Sequence, residues 1–177
     1  MSHTLHYGTG VFEGIRAYKT DSGTAIFRAK EHYDRLLDSA KMYLMPVSYS
    51  SEAFIEANLE LIRKNVVDSC YIRPLIYRGY GEMGLNPAKS PVESIIALWE
   101  WGTYLGEEAL ASGVDVMVSS WRRYSSNQVP INAKTTGLYV NSVLASEEAH
   151  RNGFSEAILP LTKICKCWFS IFPSVVL

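Results

Sequence analysis

"SEAFIEANLELIRKNVVDSCYIRPLIYRG", residues 51–79, changes its hydrophobic period part-way along. As far as Asn65, the apolar residues Phe54, Ile55, Leu59 and Ile62 fall on one stripe at helical spacing. This predicts a helix with one buried face and Ser51 as its N-cap. From Cys70 the residues turn β-branched and aromatic, and "CYIRPLIYRGYG" reads as a strand. The two periods together predict an α+β fold, an antiparallel sheet packed against helices.

Upstream, residues 29–45 read as a second helix, with Tyr33, Leu36, Leu37, Ala40, Tyr43 and Leu44 on one face and Pro46 breaking it. Residues 1–28 read as short strands and turns. Downstream, "ESIIALWEW" and "GVDVMVSSW" read as strands, with the turn-rich "EMGLNPAKSP" ahead of the first. "GTYLGEEALASG" reads as a linker or a short helical turn, which puts a domain boundary near residue 106. After Lys134, "GLYVNSVLASEEAHRNG" reads as a helix with Tyr139, Val143 and Leu144 on one face. Gly153 closes that helix as C′, and "FSEAIL" is a further strand. The last stretch, "PLTKICKCWFSIFPSVVL", has no acid and several large apolar residues, and does not read as a continuation of what precedes it.

Seventeen basic and 18 acidic residues among 177 give a net charge of −1, which argues against nucleic acid or an anionic membrane as partner. The first ten residues, "MSHTLHYGTG", lack the pattern of a secretory signal, and no apolar run is long enough to span a bilayer. Three cysteines, Cys70, Cys165 and Cys167, are too few for a disulfide framework and point to a reducing, cytoplasmic setting. Neither "CKC" nor the His3/His6 pair has further ligands at metal-site spacing, so no metal is expected.

Lys134, in "VPINAKTTGLYVNS", stands in a stretch otherwise short of charge. A lysine at such a junction is ordinarily solvated. Desolvated, its pKa falls and the neutral amine becomes available to form a Schiff base with a carbonyl cofactor. Tyr139, about one helical turn further on, could reach a ring held there. A cofactor such as pyridoxal phosphate also needs a phosphate clamp. Arg35 is either that clamp or an exposed helix residue. Arg73, between Ile72 and Pro74, lies either on a polar strand face or in a site, because a charge there costs several kcal/mol unless paired. Tyr71 shares its face by strand period. Tyr7, Phe12, Tyr104 and Tyr139 could form an aromatic pocket, although most tyrosines simply pack.

In this order, "SHTLHYGTGVFEGIRAY", "FRAKEHYDRLLDSAK", "YIRPLIYRGYGEMGLNP", "WGTYLG", "VSSWRR" and "VPINAKTTGLYVNSVLASEEAHRNGFSEAIL" closely resemble the branched-chain amino acid aminotransferases, class IV enzymes of the fold-type IV pyridoxal 5'-phosphate group. The resemblance covers about residues 2–159. It implies that Lys134 binds the cofactor covalently and then shuttles a proton, that Arg35 binds its phosphate, and that Tyr139 bonds its phenolic oxygen. It implies that Tyr71 holds the substrate α-carboxylate and that Arg73, with Tyr104 and Tyr7, takes the distal carboxylate of glutamate. Phe12, Tyr7 and Leu85 would line an apolar pocket for valine, leucine and isoleucine. Tyr7 and Leu85 would serve the neighbouring subunit, so a homodimer or higher homo-oligomer is implied. The substrates implied are amino acids and 2-oxo acids.

On this reading residues 1–106 are a nearly complete small α+β domain, 107–159 begin a large cofactor-binding domain, and 160–177 are an atypical tail. The family's acidic and glycine-rich segments, which serve the pyridine nitrogen and the phosphate, are expected beyond "SEAIL" and do not follow Pro160 here. The chain therefore resembles a truncated member, and by itself is expected to aggregate and to show no valine transamination. A non-catalytic fragment or dimerisation module, or an aminodeoxychorismate lyase of the same fold, is the alternative.

Overall fold

The computed structural model describes residues 2–82, 84–102, 107–161 and 168–169. The chain forms two compact units. One comprises Met1–Trp101 with Asn132–Gly137, and the other comprises Gly102–Ile131 with the chain from Leu138 onward. The boundary expected near residue 106 falls outside the described residues.

The first unit runs α1 (His3–Tyr7), β1 (Gly10–Phe12), β2 (Ile15–Thr20), β3 (Gly23–Ile26), α2 (Ala29–Met42), α3 (Ser51–Asn65), β4 (Cys70–Arg78) and β5 (Val92–Trp99). The sequence expectation for residues 1–28 missed α1, a five-residue helix that Gly8 ends in the left-handed region at φ 65°. The helix after it stops at Met42, ahead of Pro46, because the chain already turns left-handed at Leu44. The N-cap of α3 is Ser50, one residue before the expected Ser51; its hydroxyl accepts from the Ala53 N–H.

β4 is the centre of an antiparallel sheet. One of its edges pairs with β5 over Tyr71–Arg78, and the other pairs with β2 over Cys70–Ile72 and with β1 over Leu75–Tyr77. β2 also pairs with β3. Pro74 lacks an N–H and would ordinarily be excluded from a central strand. It fits because it lies opposite the break between β1 and β2, where its carbonyl accepts from the Glu13 N–H at 3.1 Å. The two-residue period of β4 separates two faces. Cys70, Ile72 and Ile76 join Val11, Ile15, Leu36, Phe54 and Ile62 in the core beneath α2 and α3. Tyr71, Arg73, Leu75 and Tyr77 therefore project from the opposite face. Leu37 packs against the same core from its margin. This is the α+β arrangement the hydrophobic stripes imply.

The second unit contains α4 (Glu107–Ser112), β6 (Val116–Val118), α5 (Tyr139–Arg151), β7 (Glu156–Leu159) and β8 (Trp168–Phe169). β6 and β7 are parallel, and β8 pairs antiparallel with β7. Gly153, at φ 82°, follows the C-cap of α5, as the sequence implies. The face of α5 expected from Tyr139, Val143 and Leu144 is not the buried one: Val143 is 58% exposed and Leu144 41%. The buried face carries Asn141, Ala145 and Ala149, and the small side chains of the two alanines let α5 lie close against Ala157 and Leu159 of β7. The tail assigned to 160–177 lies almost wholly outside the described residues.

Candidate active site

Lys134 reaches the first unit because the segment 132–137 lies along β1. Val11 pairs with Ile76 on one side and forms an isolated bridge to Thr135 on the other. The Phe12 N–H donates to the Lys134 carbonyl at 3.0 Å, and the Lys134 N–H donates to Ser39 Oγ of α2 at 3.2 Å. Two glycines permit this docking. The Gly137 N–H donates to the Gly8 carbonyl at 3.1 Å, and a Cβ on Gly8 would stand 2.6 Å from Gly137 Cα. Thr136 Oγ1 donates to the carbonyls of Gly8 and Gly10.

The Lys134 amine lies 5.3 Å from the centroid of the Phe12 ring. The Arg73 guanidinium lies over the same ring at 4.6 Å and donates to the Tyr71 hydroxyl from Nη2 at 2.7 Å and from Nε at 3.2 Å. Tyr71 is flanked by Trp99 and Trp101, with ring centroids at 4.9 and 4.8 Å. A Cβ on Gly14 would stand too close to the Tyr71 hydroxyl, so a side chain there would require the Tyr71 ring to shift. Phe12, Tyr71, Arg73 and Lys134 are thus brought together on one unit.

Behind them is a residue the sequence reading passed over. Glu13 is fully buried. Its carboxylate accepts from Arg35 Nε at 2.5 Å, from Arg35 Nη2 at 2.6 Å, and pairs with His32 Nδ1 at 3.0 Å. Arg35 is an exposed residue of α2, its side chain 44% accessible, and at the same time pairs with this buried acid. A signal for Glu13 exists in "GVFEGIRAY": by strand period, one acid stands on the same face as the core residues Val11 and Ile15. Trp99 and Trp101, two apart in "ALWEWG", were missed for want of a known partner strand.

The charges act on one another. Burial lowers Lys134 from 10.5 to about 8, and Arg35 and Arg73 push it the same way, while Glu13 opposes them. Burial alone would raise the Glu13 carboxyl. The hydrogen bonds of His32 and Arg35 and the charges of Arg35 and Lys134 outweigh it and hold Glu13 below the usual carboxylate value. Burial raises the Tyr71 phenol, against the pull of Arg73.

Tyr7 is 40% exposed and Leu85 81% exposed. Tyr104 lies outside the described residues. Tyr139 opens α5 and belongs to the second unit. Among the described residues no three His, Cys, Asp or Glu side chains could hold a metal ion, and no helix is long and apolar enough to cross a membrane.

The model of the family "Amino-transferase class IV" matches residues 10–165. The chain belongs to that family. The match runs a few residues past Pro160, where the resemblance in motifs ends. The branched-chain-amino-acid aminotransferase of Escherichia coli strain K12 is 52% identical over 159 residues, 89% of this chain and 52% of that protein. Its counterpart in Pseudomonas aeruginosa is 48% identical, over 90% of this chain and 52% of that protein. This class IV chain thus spans about half the length of the curated relatives it matches. A crystal structure of the Escherichia coli branched-chain amino acid aminotransferase superposes with a TM-score of 0.89 at 51% identity, covering 92% of this chain and 54% of that one. The T.th. branched-chain amino acid aminotransferase complexed with N-(5'-phosphopyridoxyl)-L-glutamate gives a TM-score of 0.84 at 46% identity, over 91% and 52% of the two chains.

Proposed function

We propose that this chain is the lysine-bearing part of a branched-chain amino acid aminotransferase, which moves amino groups between valine, leucine or isoleucine and 2-oxoglutarate. One observation carries the reading: a lysine amine lowered to about 8 stands among two arginines on one folded unit. That donor set suits pyridoxal 5'-phosphate, which demands an available amine and guanidinium groups for its anionic parts and its substrate's. When bound, the cofactor supplies the carbonyl that receives the amino group and the ring that takes up electrons from the substrate α-carbon.

Lys134 would be the attachment point and, once released, the base that takes up and returns the proton of the substrate α-carbon. Arg35 binds the phosphate and Tyr139 the phenolic oxygen. The Tyr71 hydroxyl holds the α-carboxylate. Arg73, with Tyr104 and Tyr7, takes the distal carboxylate of glutamate, and the relative captured with a phosphopyridoxyl-glutamate supports glutamate as donor. Phe12, Tyr7 and Leu85 give the apolar surface for branched side chains. The exposure of Tyr7 and Leu85 suits residues contributed to a second subunit, so the working form is a cytoplasmic homodimer or a higher homo-oligomer.

The test is amino transfer from valine to 2-oxoglutarate by the full-length protein, beside a Lys134→Ala control. Borohydride reduction and peptide mapping should place the pyridoxyl label on Lys134. Pyruvate release from aminodeoxychorismate with no amino transfer would replace this reading by a lyase, and a label on another lysine would defeat the residue assignment.

A further inference from the structure

We infer that Glu13 is a positioning residue for cofactor capture: its buried carboxylate fixes the guanidinium of Arg35 for a phosphate and supplies the counter-charge beside Lys134. The inference rests on the function proposed above. Glu13 is fully buried, yet it projects from the break between β1 and β2 toward α2 and grips Arg35 through both carboxylate oxygens. A bidentate grip fixes the plane of a guanidinium as well as its place. Lys134 is anchored to the same two elements, through Phe12 next to Glu13 and through Ser39 one helical turn beyond Arg35. Cofactor attachment and phosphate recognition therefore share one frame, and Glu13 is the group that ties both halves of it.

Charge strengthens the case. Without Glu13, the cations Arg35, Arg73 and Lys134 would lose the acid that opposes their mutual repulsion. The titratable and charged groups that act on Glu13 and Lys134 are His32, Tyr33 and Arg35 from α2, Tyr71 and Arg73 from β4, and each other. A purely structural ion pair between sheet and helix would also be buried, but it would have no bearing on phosphate or on the lysine.

The experiment compares the purified protein with its Glu13→Gln and Glu13→Asp variants in two measurements. The first is the ratio of dissociation constants for pyridoxal and pyridoxal phosphate, which isolates the contribution of the phosphate. The second is the pH midpoint for reductive methylation of Lys134 in the cofactor-free protein, read by peptide mapping. Glu13→Gln keeps the shape and loses the charge. It should cut the preference for the phosphorylated ligand by about tenfold or more and bring the Lys134 midpoint down by about one pH unit. Glu13→Asp keeps the charge and shortens the reach, so it should lose the phosphate preference while leaving the midpoint near its original value. If Glu13→Gln does not fold, the aspartate variant alone decides through that split. An unchanged preference in either folded variant, or a stronger one, overturns the inference. A wild-type protein that shows no attachment at Lys134 overturns the proposed function instead.

Discussion

Removing the amine of Lys134 should make the cofactor-free protein more stable at pH 7. The lysine titrates near 8 in the fold against 10.5 for an ordinary lysine. Between those values the unfolded chain holds more protons than the folded one, so stability rises with pH across that window and is at its lowest level below 8. A shift of 2.5 pH units is about 3 kcal/mol at most, and because the side chain is only half-buried about 1–2 kcal/mol is the realistic share. Lys134→Met keeps the unbranched apolar stem and drops the charge. Urea unfolding of both proteins at pH 7 should show a higher midpoint for the methionine variant with an unchanged slope, and the difference should shrink as pH approaches 10. The same shift makes about one Lys134 amine in ten neutral at pH 7, roughly 300 times the fraction of an ordinary lysine. A variant no more stable than the wild type, together with a methylation midpoint near 10.5 for Lys134 in the wild type, would refute the claim that burial sets the state of this lysine.

Two further outcomes follow from the same frame. Glu13, held below its ordinary 4.5, contributes stability above that pH and loses it as pH falls through its folded value. Glu13→Gln should therefore cost about 2 kcal/mol near neutrality, with the deficit closing under acid, as read by urea midpoints from about pH 7 to about pH 3. Gly8→Ala places a Cβ against Gly137 Cα and strains a residue at φ 65°, so it should cost about 2 kcal/mol or more and speed hydrogen exchange at the Phe12 amide. Unchanged exchange there would mean that the Lys134 strand does not depend on the Gly8–Gly137 approach.

The sequence by itself determined which surfaces of the first unit are core and which are chemical. A period of two in β4 sends Ile72 and Ile76 inward and leaves Tyr71 and Arg73 together, and the stripes of α2 and α3 fix the side they cover. These are local facts of chain geometry, so they survive without knowledge of the partners. Where the local rule failed, it failed for lack of a partner. Val143 and Leu144 are the larger apolar residues of α5, but close packing against β7 selects Ala145 and Ala149. Only the tertiary structure decided that Glu13 meets an arginine 22 positions away and that the Lys134 segment lies beside Phe12 across 122 residues of chain. The acidity of the lysine belongs to that level too. Desolvation and the charges of Arg35, Arg73 and Glu13 depend on distances in space, and no spacing along the chain encodes them.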